Sequence, residues 1–152
     1  MENRFKYFGF AILMILIGLS VMVAVSADTA RVGGQLVNVP DDYNVVFENS
    51  TYLFLSSDVD HSIIMSYPPM DKDAGQYKDQ FLNSGLNFTG DSNYTYGPLS
   101  INQQNYTHYN KNMDFYYIEY DNDLYVIHFF YPSNESRTES FNPVNTILDR
   151  FE

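Results

Sequence analysis

Hydrophobic positions along the chain fall into three regimes. Residues 7–27 carry no charged side chain over 21 positions and are almost continuously apolar. As a helix rising about 1.5 Å per residue, that run extends roughly 31 Å, close to the roughly 30 Å hydrocarbon core of a bilayer. From Gln35 the pattern changes to short β-branched and aromatic runs punctuated by turn residues, interrupted twice by the wider spacing of an amphipathic helix.

The short runs predict strands. Residues 36–39 form one, stopped by Pro40, with Asp41 and Asp42 turning the chain. Residues 44–48 and 51–56 read as a hairpin about Asn49 and Ser50, and residues 62–67 as the next strand, closed by Pro68 and Pro69. Over 71–85, Ala74, Tyr77, Phe81, Leu82 and Gly85 fall on one helical face, with Asp71 or Asp73 as N-cap and Gly85 at the end. Residues 87–97 are polar and read as a loop, followed by a polar strand over 100–109 near a sheet edge.

The strongest local signal lies at 113–131, two aromatic runs about Asp121, Asn122 and Asp123 that predict a tight hairpin. A turn at Asn122-Asp123 sets Ile118 against Ile127, Tyr116 against Phe129 and Tyr117 against His128; a turn at Asp121-Asn122 shifts the pairs by two. Either way Tyr116, Ile118, Tyr120, Tyr125, Ile127 and Phe129 share one face, and Phe115, Tyr117, Val126, His128 and Phe130 the other. Both faces are apolar, which places the hairpin inside a sheet covered at least partly on both sides. After a polar connection over 132–140, Asn142 precedes Pro143, and Val144, Ile147, Leu148 and Phe151 mark a short helix folded back on the sheet. The sum is an α+β domain: a mainly antiparallel sheet of six or seven strands with two packed helices, preceded by one transmembrane helix.

Arg4 and Lys6 precede the apolar run and Asp28 follows it, so residues 1–6 are expected in the cytoplasm and residues 28–152 outside. The expected organisation is a cytoplasmic N-terminus (1–6), a transmembrane signal anchor (7–27), a linker (28–34) containing Gly33-Gly34, and an extracytoplasmic domain (35–152). Val25-Ser26-Ala27 also suits signal-peptidase cleavage, but the apolar core exceeds the roughly 7 to 15 residues of a cleavable signal, which favours the anchor.

Gly34 to Tyr43, the tyrosine-rich hairpin ending Leu-Tyr-Val-Ile-His-Phe, and the terminal helix with Ile147-Leu148 together resemble small N-terminally anchored extracytoplasmic domains of methanogenic archaea. Those domains are in turn similar to the PsbP/Mog1-like sandwich fold. The resemblance implies a fold and a location, and carries over no functional residue.

Charge and composition narrow the partners. Residues 28–152 hold 6 Lys and Arg against 18 Asp and Glu, a surface that repels phosphate backbones, so nucleic acid is not an expected partner. Membrane contact is expected through residues 7–27 alone. Cysteine is absent, which removes disulfides, thiolate nucleophiles and cysteine-based zinc sites together. Twelve Phe and 14 Tyr supply ample area for a packed core.

Five N-glycosylation sequons stand at Asn49, Asn87, Asn93, Asn105 and Asn134. Asp58, Asp60 and His61 present carboxylates and an imidazole within four residues, but the spacing fails the EF-hand pattern because Ile63 stands where the sharp turn needs glycine. A solvated turn is the expected state there, and a hairpin turn at Asp121 to Asp123. His128 is expected as a core imidazole hydrogen-bonded near Tyr117. Asn93-Tyr94-Thr95-Tyr96 recurs loosely as Asn105-Tyr106-Thr107-His108; coincidence in a Tyr- and Asn-rich chain is the expected reading, with a stacking surface built from Tyr94, Tyr96, Tyr106 and Tyr109 as the alternative. No cofactor motif or local catalytic motif is present, and no catalytic or metal-ligating residue is assigned. The expected function is a membrane-anchored extracytoplasmic interaction or ligand-binding domain with an extracytoplasmic protein or polymer partner. An envelope enzyme with a non-local active site and a cation-dependent structural domain are the alternatives.

Overall fold

In a computed structural model, residues 28–58, 60–67, 73–135 and 142–151 are described. Nine strands and two helices follow one another along them: β1 (Thr29–Val32), β2 (Gln35–Asn38), β3 (Asn44–Glu48), β4 (Tyr52–Ser56), β5 (Ser62–Ser66), α1 (Ala74–Asn83), β6 (Asn87–Tyr96), β7 (Leu99–His108), β8 (Lys111–Tyr120), β9 (Asp123–Pro132) and α2 (Pro143–Leu148). Seven strands make one antiparallel sheet in the order β3-β4-β5-β9-β8-β7-β6, and β1 and β2 make a separate hairpin. The α+β class and the antiparallel sheet agree with the expectation. Among the described residues no helix is long and apolar enough to cross a membrane, and residues 7–27 lie outside them.

The β8–β9 hairpin turns at Asp121 and Asn122, both at positive φ (51° and 67°), as the mirror-image turns of two-residue hairpins require. This selects the second of the two registers: Ile118 pairs with Tyr125, Tyr116 with Ile127 and Phe115 with His128. The face assignments survive intact. Tyr116, Ile118, Tyr125, Ile127 and Phe129 pack with the β1–β2 hairpin and α2, while Phe115, Tyr117, Val126 and Phe130 pack with Tyr77 and Phe81 of α1. Burial on both faces follows from the lack of a polar face on either strand.

Both helices begin as their caps dictate. Asp73 accepts from the Gln76 backbone N–H while the Gln76 side chain accepts from Asp73 N–H, a reciprocal capping box. Asn142 caps α2 through the Val144 N–H ahead of Pro143. The alternative cap Asp71 and the Pro68-Pro69 stop lie outside the described residues, as do residues 136–140 of the last connection.

Two segments depart from expectation. Residues 28–34 are not a linker: Thr29–Val32 pairs with β2, and Ala30 and Val32 lie in the core. Two small or β-branched apolar residues in a four-residue strand leave almost no periodicity to read. Residues 87–97 are not a loop but β6, a ten-residue edge strand. Its partly buried Phe88 packs toward α1, whereas Tyr94 and Tyr96 pack toward the opposite core, because a bulge between Phe88 and Gly90 reverses the phase of the strand. With β6 outermost, β7 is one strand in from the edge.

The β1–β2 turn depends on Gly33. Its φ is +58°, and a Cβ there would stand 2.1 Å from the Tyr67 ring, which stacks on Tyr125 with ring centroids 4.8 Å apart. Gly33→Ala therefore combines left-handed strain with displacement of a packed ring. It is expected to cost about 2–4 kcal/mol, read as a lowered midpoint of urea denaturation, whereas Gly34→Ala, with open space around its Cβ, loses only the backbone part.

Candidate functional site

Antiparallel pairing brings four distant segments to one end of the main sheet: the start of β3, the β4–β5 turn, the β7–β8 turn and the end of β9. There the ring of His61 lies between two carboxylates. Its Nδ1 is 3.0 Å from Asp58 Oδ1 and its Nε2 is 2.8 Å from Glu135 Oε2, a contact spanning 74 residues. Both nitrogens donate to acceptor-only groups only when the ring is the imidazolium. Partial burial opposes that charge, but the hydrogen bonds the ring donates to Glu135 and Asp58 outweigh it and raise the His61 pKa. Slight desolvation of Asp58 is likewise outweighed, by His61 and by the backbone N–H groups of Asp60 and His61, and its pKa is lowered.

The expected trio of Asp58, Asp60 and His61 is thereby divided. Asp58 and His61 meet, while Asp60 turns to the Lys111 ammonium of β8. No group of three or more such side chains among the described residues is arranged to hold a metal ion. Glu135, remote in sequence, was the member that no local spacing announced. Tyr43, buried beside this end, hydrogen-bonds Ser57, and burial pushes its phenol pKa up. What the cluster does chemically is to cross-link the β4–β5 turn to the segment after β9 through one titratable ring.

A polar recess of about 310 Å³ adjoins it, lined by Thr89, Asn105, Asn112, Asp114, Tyr131 and Glu135. Asp114 is buried there and accepts a hydrogen bond from the Tyr131 hydroxyl at 3.2 Å. On the other face a second recess of about 310 Å³ touches Asp73, Asn93, Asn102, Tyr117, Glu119 and Leu124.

The remaining candidates separate. Asn49, Asn87, Asn93 and Asn134 are exposed, and Asn105 is half-buried with its amide oxygen accepting from Gln103 Nε2 at 2.8 Å. Asn49 lies in the β3–β4 turn and accepts from the backbone of Thr51 and Tyr52; Asn93 accepts from the Asn102 amide across the β6–β7 pair. The proposed tyrosine surface does not form. Tyr106 is buried toward α1, Tyr94 and Tyr96 are half-buried toward the other core, and Tyr109 lies apart from them at the β7–β8 turn beside the His108 ring, 92% exposed with φ +52°. An L side chain pays about 1–2 kcal/mol for that backbone conformation.

His128 is a core imidazole, but not the hydrogen-bonded one expected. It lies among Phe81, Phe115 and Phe130, and both its Nε2 and the Tyr117 hydroxyl are buried with no partner among the described residues. Burial alone pushes its pKa down to about 4. Compared with known proteins, the chain matches no family model, no curated protein and no solved structure.

Two titrations follow. The His61 bridge stabilises the fold fully below the unfolded pKa of about 6.5 and loses that contribution as pH rises through the raised folded value; it is also lost as pH falls through the lowered pKa of Asp58. His61→Gln should accordingly lower stability by about 0.2–1 kcal/mol inside that window and by nothing at pH 9, measured as denaturation midpoints against pH. His128 acts in the opposite sense. Its stabilising neutrality is complete above pH 6.5 and is lost between there and pH 4, a penalty on the order of 3 kcal/mol. His128→Phe should flatten that acid limb, and an unchanged slope between pH 6.5 and 4 would place the acid sensitivity elsewhere.

Proposed function

We propose that this chain is an extracytoplasmic interaction module held at a membrane through residues 7–27, with residues 1–6 in the cytoplasm. The observation that carries the reading is the absence of slack: β1 begins at Thr29, two residues beyond Ala27, and Ala30 and Val32 are already core residues. β1 runs alongside β3 in the same direction, since Arg31 N–H donates to Glu48 Oε1 and Gly33 N–H to the Ser50 carbonyl. Asp28 therefore leaves the domain at the sheet end that carries His61, Lys111 and Tyr109. A spanning helix over 7–27 holds that end against the bilayer and directs the β3–β4, β6–β7 and β8–β9 turns away from it. The exposed sequons and the acidic surface suit an outward-facing domain, and the likeness to anchored archaeal domains supports the same arrangement. Recognition by exposed edges and turns, with the recesses as ligand-sized alternatives, is the mode this fold favours.

The test uses the full chain with a C-terminal tag in a membrane-bearing host. The expected result is retention in the membrane through an alkaline wash, an intact N-terminal segment by mass, and loss of the tag to protease added outside. Soluble protein starting at Asp28 would defeat the anchor, and a tag protected from external protease would defeat the orientation.

A further inference from the structure

The two margins of the main sheet are treated differently. β3 is five residues long, interrupted by a bulge, and flanked by β1, whose Arg31 N–H bonds the Glu48 side chain. β6 is ten residues long, and among the described residues no strand pairs with its outer side. Short strands, lysines, prolines and bulges are the usual means of closing an edge to foreign strands. Within Gly90 to Tyr96, past the bulge, β6 has none of them.

The backbone groups this edge offers can be worked out from the turn. Gly97-Pro98 is a two-residue hairpin loop with Tyr96 opposite Leu99, so Tyr96, Tyr94, Ser92 and Gly90 exchange hydrogen bonds with β7. The alternate residues Asp91, Asn93 and Thr95 point their N–H and C=O groups outward. A two-fold antiparallel pairing is then centred on one of these three or on Ser92 or Tyr94 between them. Centring on Ser92 or Tyr94 matches only two of the three outward residues with one another. Centring on Asp91 opposes two identical carboxylates, and centring on Thr95 carries most of the partner past the strand end. Centring on Asn93 sets Asp91 opposite Thr95 of the second copy and Asn93 opposite its own equivalent, giving three pairs that exchange bonds.

The same register solves the side-chain problem on the other face. Gly90 has nothing within 4 Å of where a Cβ would stand, and the Asn93-centred pairing puts Tyr96 of the other copy across from it. An aromatic opposite a strand glycine covers the backbone that the glycine leaves bare. The only charge on this stretch, Asp91, has Lys78 of α1 3.7 Å away. A parallel pairing in register would instead align Asp91 with Asp91 along the seam.

We propose that β6 is a self-recognition edge, pairing antiparallel with β6 of a second copy of this chain about a two-fold axis through Asn93. The two-fold reverses β6, so the Asp28 ends of the two copies point in opposite directions, and with residues 7–27 as anchor the second copy stands on a facing membrane. This supplies a partner to the interaction-module reading and rests on it in that respect alone; the pairing and the membrane attachment are read by separate measurements, so either can fail without the other. Asn93 also heads a sequon, and a glycan there would sit on the two-fold axis and close the edge.

The chain has no native cysteine, which permits a direct test with the full-length, unglycosylated protein under mild oxidation. Facing residues of a bonded antiparallel pair are about 5.5 Å apart at Cα, within disulfide reach. Asn93→Cys should cross-link to itself, and Asp91→Cys should cross-link to Thr95→Cys when the two variants are mixed but neither should link to itself. Absence of the Asn93→Cys disulfide, or self-linking of Asp91→Cys, overturns the proposal. Sedimentation in detergent gives an independent reading that does not depend on any one variant folding well. The native chain should show a dimer that weakens at low salt, where the acidic surfaces repel over a longer range. Asn93→Lys and Asn93→Glu should each weaken it at least tenfold, and mixing the two should restore it. A native chain that stays monomeric at all concentrations, or charge variants that fail to rescue one another, rules the pairing out.

Discussion

The demand that both faces of β8–β9 be covered governs the rest of the architecture. Neither strand has a polar side to offer water, so the hairpin is stable only between two layers. One layer is α1, whose Tyr77 and Phe81 rings meet Tyr117, Phe115 and Tyr106; the other is the β1–β2 hairpin with α2, whose Val144, Ile147 and Leu148 complete a core around Tyr116, Ile118 and Ile127. Lateral growth satisfies the backbone: β5 joins β9 and β7 joins β8, placing the aromatic hairpin at the middle of seven strands. With no disulfide available, this double burial has to hold the domain without a covalent staple.

The price of so apolar a centre shows in the polar groups trapped within it. His128 and Tyr117 fill their places as rings, and the His128 Nε2 and Tyr117 hydroxyl go without partners among the described residues. On the opposite side Asp114 and Tyr131 bond one another. The titratable ring at the sheet end is handled differently, since His61 has a carboxylate for each nitrogen. One histidine therefore favours its neutral form and the other its cationic form, within one domain.

Legibility in the sequence tracked how far each signal could be read locally. The β8–β9 faces, the Asn142 cap with Pro143 and the face of α1 were readable because period and cap chemistry repeat over one or two turns. The hairpin register was readable only as two options, because Asp121, Asn122 and Asp123 all tolerate a left-handed turn. β6 escaped because its bulge splits the aromatic pattern between two faces while leaving the alternation in the letters unbroken. β1 escaped because four residues hold too little pattern. At the site, Asp58 and His61 were visible as neighbours, but Glu135 is 74 residues away and the Asp60 to Lys111 contact 51, distances only the sheet order can close. The five sequons were legible as letters, whereas the half-burial of Asn105 was not.

The early start of β1 has a mechanical side. A domain on a loose string can swing and turn without disturbing its fold; here Thr29 is already paired with Asn38, and the Val39 N–H reaches back to the Asp28 carbonyl at 3.0 Å. Tension applied before residue 28 is thus delivered at once to the β1–β2 hairpin, and through the packing of Ala30 and Val32 to the central sheet. The first strand behaves as a stiff joint, and its four rungs are the first part of the domain to give way under load.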